Sequence, residues 1–148
     1  MAAKVVTMLP KFALLIAGSR TYDNYNEFVS ICNKSLSQKK KDHDIIIVSG
    51  GAKGTDTMAR IFAISMGYEF KEFPADWKKY GKTAGYIRNV EMHKFLLDYE
   101  ERGCLCFWNG ESKGTAHNFK LCEQYGTQLA IYNYINSEIN IFKYKKGW

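Results

Sequence analysis

Short apolar runs alternate with segments of helical periodicity along most of the chain. The apolar runs are nearly continuous, as is typical of strands buried on both faces of a sheet. They predict five strands, over 12–17, 45–48, 68–73, 104–108 and 128–132. The intervening segments repeat apolar residues every three or four positions. This spacing predicts four helices, over 25–36, 57–66, 85–99 and 115–125.

This alternation predicts an α/β fold, a Rossmann-like three-layer α/β/α arrangement with a mainly parallel five-stranded sheet. We expect a single domain over residues 1–148, with its core in 12–132. Asp23 or Asn24 is the expected cap of the first helix, and Gly67 the expected end of the second. Residues 75–84 read as a long polar loop. The tail, 133–148, reads as a closing helix or as an oligomer contact, which makes a homo-oligomer plausible.

Composition narrows the class of protein. Hydrophobic residues make up 46% of the chain and charged residues 24%, as in ordinary globular domains. No apolar run approaches the roughly 20 residues of a membrane span. The N-terminus reads as a leader followed by the first strand rather than as a signal peptide. We therefore expect a cytoplasmic protein with no membrane association.

Cysteine and histidine spacing does not suggest a metal site. None of the cysteines forms a C-x-x-C pair, so small hydrophobic core residues in a reducing compartment are the favoured interpretation over a metal site or a disulfide. The histidines lack ligand spacing too. The sequence thus predicts no metal and no cofactor. The residues concerned are Cys32, Cys104, Cys106, Cys122, His43, His93 and His117.

The net charge of +6 favours an anionic partner, although solubility alone explains such an excess. Part of it lies in two lysine-rich runs, 39–41 and 143–146, which we interpret as solvated surface. Other lysine and arginine residues lie in segments that directly follow predicted strands. In a parallel sheet the carboxyl ends of the strands meet at one edge, where ligands bind at the switch point of strand order. Motifs that follow strands should therefore converge.

Four such motifs follow the first four predicted strands: GSR at 18–20, GGAKGTD at 50–56, FPADWKKYGKTAGYIRN at 73–89 and WNGESKGTAH at 108–117. Each contains a cation, and three have glycine beside Ser or Thr. Glycine permits close backbone approach, arginine grips phosphate, and helix N-termini attract anions. We interpret GGAKGTD as a phosphate cradle. The candidate ligand-binding residues are Gly18, Ser19, Arg20, Tyr22, Gly50, Gly51, Lys53, Gly54, Thr55, Trp77, Arg88, Asn89, Lys113, Gly114 and Thr115.

Several of these side chains have a structural alternative. Asp56, the one candidate catalytic residue, suits a helix cap, a ribose contact or the activation of water. Arg20 and Arg88 suit phosphate contact, or ion pairs with Asp23 or Glu91. The aromatic residues Tyr22 and Trp77 suit stacking on a base, or packing over the sheet edge. Trp108 reads as a core residue.

Two common nucleotide motifs are absent. GKT at 81–83 resembles the end of a P-loop, but Asp76 stands where that motif requires glycine. GGAKG is not G-x-G-x-x-G, and no dinucleotide fingerprint follows the first strand. The sequence therefore does not support a Walker-type NTPase or a standard NAD enzyme.

The four motifs, in this order, resemble those of the SLOG superfamily, specifically its small YspA/YpsA-like branch with a GSR motif, over about residues 14–132. The resemblance implies a Rossmann-like sheet and a nucleotide or nucleotide-derived ligand. Two relatives name the superfamily: Smf/DprA, which binds single-stranded DNA, and the LOG phosphoribohydrolases. The chain differs from both relatives. Met58 occupies the position of the LOG glutamate. Arg88-Asn89 contains one arginine, whereas DprA-like chains have two at this motif.

The leading functional hypothesis is a protein that binds a nucleotide or nucleotide-derived phosphate ligand as a sensor, sequestering protein or processing enzyme. Arg20, Lys53, Arg88 and Lys113 would hold the anionic part. The first alternative is a LOG-like hydrolase that cleaves a nucleotide N-glycosidic bond with help from Asp56. The second is a DprA-like binder of single-stranded DNA, so nucleic acid remains a possible partner.

Overall fold

A computed structural model describes residues 8–144. The sheet has six strands: β1 (Lys11–Gly18), β2 (Asp44–Ser49), β3 (Glu69–Glu72), β4 (Glu101–Trp108), β5 (Gln128–Asn133) and β6 (Glu138–Phe142). Five helices accompany them: α1 (Tyr25–Leu36), α2 (Thr55–Met66), α3 (Trp77–Tyr80), α4 (Ala84–Leu96) and α5 (Lys113–Tyr125). Single 3-10 turns lie at Lys39–Lys41 and Gly81–Thr83. The sequence-based leader (1–7) and the last part of the second lysine run lie outside the described residues.

The strand order is β3-β2-β1-β4-β5-β6, with β1 to β5 parallel. This confirms the predicted Rossmann-like α/β class. The chain leaves β1 toward β2 on one side, while β4 pairs with β1 on the other. The switch point of strand order therefore lies between β1 and β4, whose loops diverge there and leave a crevice.

Alternate residues of β1 build the two core layers, because successive side chains of a strand point to opposite faces. Leu14 and Ile16 pack with Phe28 of α1 and Phe62 of α2. On the other face, Leu15 packs in the layer that contains residues of α4 and α5. Helices therefore cover both faces of the central strands, which explains their nearly continuous apolar sequence.

Local signals set two helix ends as expected. The side chain of Asn24 caps α1 by accepting a hydrogen bond from the Glu27 amide at 3.1 Å. Gly67 ends α2 in the left-handed conformation, with φ of +73°. Both predictions are confirmed, because each depends on the chemistry of one residue next to the helix.

The number of strands differs from the prediction, and the tail contains a strand, which excludes one of its two expected roles, the closing helix. β6 pairs antiparallel with β5, so the sheet has six strands rather than five, and residues 138–142 form a strand rather than a closing helix. All five β6 side chains are exposed. A strand that buries neither face need not alternate apolar and polar residues, so its periodicity is weak.

The segment predicted as a polar loop, 75–84, contains α3 and a 3-10 turn. Asp76 starts α3 by accepting a hydrogen bond from the Lys79 amide at 3.0 Å. Four residues are too few for a periodic signal, which is why the pattern missed this helix. Within residues 8–144, no helix is both long enough and apolar enough to cross a bilayer.

Candidate functional site

A cavity of about 470 Å³ lies at the carboxyl ends of β1 and β4, at the switch point of the sheet. We call it the main cavity. The loops after β1 and β4, the first turns of α4 and α5, and Asp56 of α2 form its wall. A second concavity of about 430 Å³, the side hollow, is lined by residues of the loop after β2 and of the segment before α3. The two share Arg20, Ala52, Trp77 and Arg88.

The loop after β1 presents one buried and one exposed polar side chain. Ser19 is buried, and its hydroxyl lies 3.1 Å from that of Thr21. Arg20 is exposed, and its guanidinium carbon lies 5.5 Å from the centroid of the Trp77 ring. Neither Asp23 nor any other described carboxylate forms an ion pair with Arg20. Its charge therefore stays available at the boundary of the two concavities.

The glycines of the first two motifs bring protein segments together. A Cβ on Gly18 would lie 2.6 Å from the Phe107 carbonyl oxygen, and one on Gly54 would lie 2.7 Å from that of Ser19. Gly54 also has a φ of +70°, which L side chains rarely adopt. The Thr55 amide and hydroxyl both donate to the Ser19 carbonyl, at 3.3 and 2.9 Å. These contacts fix the start of α2 against the loop after β1.

The motif GGAKGTD contains an internal hydrogen bond that uses one of its own backbone amides. The Asp56 carboxylate accepts a hydrogen bond from the Ala52 amide at 3.0 Å, which occupies an amide that a phosphate would need. The N-cap of α2 is Gly54, so Asp56 is not the cap. Burial raises the pKa of Asp56, opposed by the Ala52 amide and the Arg88 guanidinium. This loop is therefore a less suitable anion cradle than the sequence indicated.

Arg88 and Asn89 connect three elements. Arg88, nearly buried, donates to the Gly50 carbonyl and, at 3.0 Å, to Oδ1 of Asn89. Asn89 in turn donates to the Gly114 carbonyl at 3.4 Å. Burial lowers the pKa of Arg88, and the Asp56 carboxylate opposes that shift. The ion pair between Arg88 and Glu91 that the sequence suggested as an alternative is not formed in the described part of the chain.

The N-terminus of α5 is more open than that of α2. The Ser112 hydroxyl accepts from the Thr115 amide at 3.4 Å, and Asn109 accepts from the Ser112 amide at 2.8 Å. The amides of Lys113 and Gly114 precede the first intrahelical hydrogen bond, which Ala116 makes to Ser112. A Cβ on Gly114 would meet nothing within 4 Å. Backbone amides with open space beside them thus lie at the wall of the main cavity.

Nine of the sixteen candidate residues lie together at the main cavity: Gly18, Ser19, Arg20, Asp56, Trp77, Arg88, Asn89, Gly114 and Thr115. Gly50, Gly51 and Lys53 lie at the side hollow instead. Gly54, Thr55, Tyr22 and Lys113 line neither.

Tyr22 belongs to the core. Its ring stacks on Phe107 with centroids 5.3 Å apart and packs against Tyr134 at 4.4 Å. Its hydroxyl donates to Glu27 at 2.7 Å. Burial and the Glu27 carboxylate raise the pKa of Tyr22. The side chain is 4% exposed, so it is not available to stack on a ligand.

Some wall residues were missed among the sequence candidates. They are Ala17, Thr21, Ala52, Lys82, Gly85, Tyr86, Met92, Asn109, Ser112 and Asn118. Asn109 and Ser112 lie inside the quoted motif WNGESKGTAH, and their position before a helix was the available signal. Tyr86 likewise lies inside the quoted motif FPADWKKYGKTAGYIRN. Asn118 lies outside the quoted motifs and reaches the cavity from the second turn of α5, which packs beside α4.

The wall can hold an anion and hydroxyl groups, but it lacks a metal-binding set. Asp56 is its one carboxylate, and no histidine or cysteine of the described residues lines it. Three cationic side chains line the same cavity, so its positive charges outnumber the one carboxylate: Arg20, Arg88 and Lys82. The exposed Trp77 and Tyr86 rings add flat apolar surface.

Comparisons with known proteins agree with the fold and the motifs. The model of the YspA, cpYpsA-related SLOG family matches residues 12–80. The Gene 61 protein of Mycobacterium phage D29 is 33% identical over 118 residues, which cover 76% of this chain and 90% of that protein. The crystal structure of DNA processing protein A (DprA) from Streptococcus pneumoniae superposes with a TM-score of 0.54 at 19% identity. That match covers 83% of this chain, which spans about half (50%) of the DprA chain. The chain belongs to the YspA, cpYpsA-related SLOG family.

Proposed function

We propose that the protein binds a nucleotide or nucleotide-derived phosphate ligand in the main cavity. The observation that carries this proposal is the position of an exposed, unpaired Arg20 guanidinium at the same cavity as the open N-terminus of α5. A guanidinium and free helix amides are complementary to phosphate oxygens. The cavity volume of about 470 Å³ is within the range of small-molecule sites.

The anionic group of the ligand would lie between Arg20 and the first turn of α5. Arg88 contributes positive potential, and two of its N–H groups are already used by Gly50 and Asn89. Lys53 lies in the side hollow beside Arg20, where it suits a second phosphate. Lys113 begins α5 outside the wall, so its contribution is long-range attraction.

The remainder of the ligand would meet Trp77 and Asp56. Trp77 is 48% exposed at the boundary of the two concavities, where its ring is free to stack on a base. Asp56 uses one carboxylate oxygen to accept from Ala52. Its other oxygen suits a ribose hydroxyl, because a carboxylate accepts several hydrogen bonds.

Isothermal titration calorimetry with nucleoside mono-, di- and triphosphates tests the proposal. We expect at least one to bind with one site per chain, and Arg20→Ala to weaken that binding by about tenfold or more, the value of a hydrogen bond to a charged group. Lys40→Ala is the matched control, since Lys40 is an exposed cation in the 3-10 turn before β2. Absence of binding, or equal losses in both variants, would reject the proposal.

A hydrolytic version of the same site is favoured by one observation, the raised pKa of the buried Asp56 carboxyl beside a cavity. A hydrolase would release free base from a nucleoside monophosphate during long incubation, and Asp56→Asn would abolish the release. Chromatographic recovery of intact nucleotide, with binding retained, would identify a protein that only binds.

A DprA-like activity on single-stranded DNA gives a different outcome of the same titrations. Affinity would then rise with oligonucleotide length and fall steeply with salt, since each phosphate contact releases counterions. If a mononucleotide binds at least as tightly as an oligonucleotide, this alternative is excluded.

A further inference from the structure

Three metal-ligating side chains meet in the core, away from the main cavity. His93 of α4, Cys104 of β4 and Cys122 of α5 each offer one donor atom, and these atoms all lie within 4.8 Å of one another. All three residues are buried, with exposures of 0%, 2% and 0%. No sequence motif indicated this cluster, because its members come from three separate elements.

The hydrogen bonds of His93 leave one ring nitrogen free. Nε2 lies 2.9 Å from Oδ1 of Asn118, while the Asn118 amide nitrogen donates to the Gly114 carbonyl at 3.4 Å. The second contact fixes the orientation of the Asn118 amide, so Nε2 of His93 carries the hydrogen. Nδ1 is then an unprotonated acceptor, and it is buried with no hydrogen-bond partner among the described residues.

A histidine arranged in this way is typical of a metal ligand. Metal-binding imidazoles usually donate their second N–H to a carbonyl or carboxylate oxygen, which fixes the tautomer. Coordination requires an unprotonated ring nitrogen, and Nδ1 of His93 is buried with no hydrogen-bond partner among the described residues. A metal ion would supply the missing partner of Nδ1.

The sulfur atoms of Cys104 and Cys122 lie within 4.8 Å of each other, and Cys106 is a neighbour of Cys104. Sγ of Cys104 lies 3.6 Å from Sγ of Cys106 and also contacts Cys122. Two thiolates on one tetrahedral Zn²⁺ ion, each about 2.3 Å from it, are about 3.8 Å apart. Contacts with Cys106 and Cys122, together with burial, raise the pKa of Cys104.

We propose that His93, Cys104 and Cys122 bind one thiophilic metal ion, with Zn²⁺ as the representative ion. Binding forms two Zn–S bonds and one Zn–N bond and releases the thiol protons of Cys104 and Cys122 to solvent. Two thiolates, a neutral imidazole and Zn²⁺ have no net charge, which suits an apolar core.

The location of the site gives it a structural role. It connects β4 with α4 and α5, the two helices whose first turns form part of the main cavity. Asn118, the hydrogen-bond partner of His93, itself lines that cavity. Because the ligands are buried, metal uptake should accompany folding rather than follow it.

Refolding of the full chain with Zn²⁺ tests the proposal without any substitution. The protein is unfolded in guanidinium under reducing conditions, refolded with one equivalent of Zn²⁺, desalted and analysed by plasma mass spectrometry. We expect about one zinc per chain, release of two protons per zinc, and, with Co²⁺ instead, a thiolate-to-cobalt charge-transfer band. Absence of retained zinc, or a cobalt spectrum without that band, would overturn the proposal.

Single substitutions then assign the ligands. Cys104→Ser, Cys122→Ser and His93→Gln should each weaken zinc binding by at least tenfold, and Cys106→Ser should weaken it less. Cys32→Ser is the matched control, because Cys32 is fully buried in the core layer on the opposite face of the sheet. Equal losses in Cys32→Ser and Cys122→Ser would contradict the assignment. If a ligand variant fails to fold, the wild-type cobalt spectrum still decides the question.

Discussion

The guanidinium of Arg20 lies over the ring of Trp77, with 5.5 Å between the guanidinium carbon and the ring centroid. Both side chains are exposed, and both line the main cavity and the side hollow. A cation–π contact of this kind is worth about 0.5–1 kcal/mol at an exposed site. It orients the cation without cancelling its charge, as a carboxylate partner would.

We therefore predict that Arg20 and Trp77 act together in ligand binding. In calorimetry with the tightest-binding nucleotide, Arg20→Ala and Trp77→Ala should each weaken affinity by about 1–3 kcal/mol. The double variant should lose less than the sum, because the loss of Trp77 already disorders Arg20. Additive losses would show that the two residues act independently. Trp77→Phe, which retains a ring, should restore most of the coupling.

Gly114→Ala separates binding from stability. The new methyl group would meet nothing within 4 Å, and alanine is the better helix former by about 1 kcal/mol. The variant should therefore be at least as stable as the wild type in urea unfolding. It should bind the nucleotide less tightly, by about fivefold or more, because the methyl group occupies space beside the free amides of α5. Unchanged affinity would argue that the ligand does not approach this turn.

Gly54→Ala and Gly67→Ala form a matched pair for stability. Both glycines have positive φ, +70° and +73°, but a Cβ on Gly67 meets nothing whereas one on Gly54 collides with the carbonyls of Ser19 and Arg20. We expect Gly67→Ala to lower the free energy of unfolding by about 1–2 kcal/mol through backbone strain alone. Gly54→Ala should cost about 1–3 kcal/mol more, through overpacking and because the ψ of Gly54, −119°, lies outside the left-handed helical region that Gly67 occupies. Equal losses in guanidinium unfolding would mean that the two loops are not in contact.

A pH-dependent contact lies at the opposite edge of the sheet. His43 Nδ1 is 2.6 Å from Asp42, and its Nε2 contacts Glu101, which also accepts from Lys39 at 2.6 Å. Glu101 in the first place, and then Asp42, raise the pKa of His43, while Lys39 and His43 lower that of Glu101.

The directions of these two pKa shifts define the pH range in which the contact stabilises the fold most. The His43 contribution is complete below the ordinary histidine pKa of 6.5 and is lost as pH rises through the raised folded value. The Glu101 contribution is complete above 4.5 and is lost as pH falls through the lowered folded value. Urea unfolding of the wild type and of His43→Gln should differ most between these values and converge at alkaline pH. A difference that grows at alkaline pH would contradict the assignment.

Local chemistry made several features predictable. The Asn24 cap and the Gly67 stop could be read from single residues next to a periodic segment. The strand-end rule brought Arg20 and Gly114 to one cavity although almost a hundred positions separate them. That rule works because the carboxyl ends of parallel strands share an edge of the sheet.

Other assignments needed through-space information. Glycine in GGAKGTD suggested approach to a phosphate, but Gly50 makes room for the Arg88 side chain and Gly54 for the Ser19 and Arg20 carbonyls. Tyr22 follows GSR and resembled a base-stacking residue, yet its ring packs between Phe107 and Tyr134. Small or aromatic residues have the same local pattern whether they face a ligand or the protein.

The sequence by itself determined the first five strands, the four long helices, the parallel part of the sheet and the edge where polar motifs collect, because periodicity, capping and turn residues act over a few positions. Only the tertiary structure decided which polar groups stay available. Asp56 closes its own loop by a contact with Ala52, four positions away. Arg20 forms no ion pair with a described residue, and His93 meets two thiols. These last two outcomes depend on how distant segments pack, which no local pattern specifies.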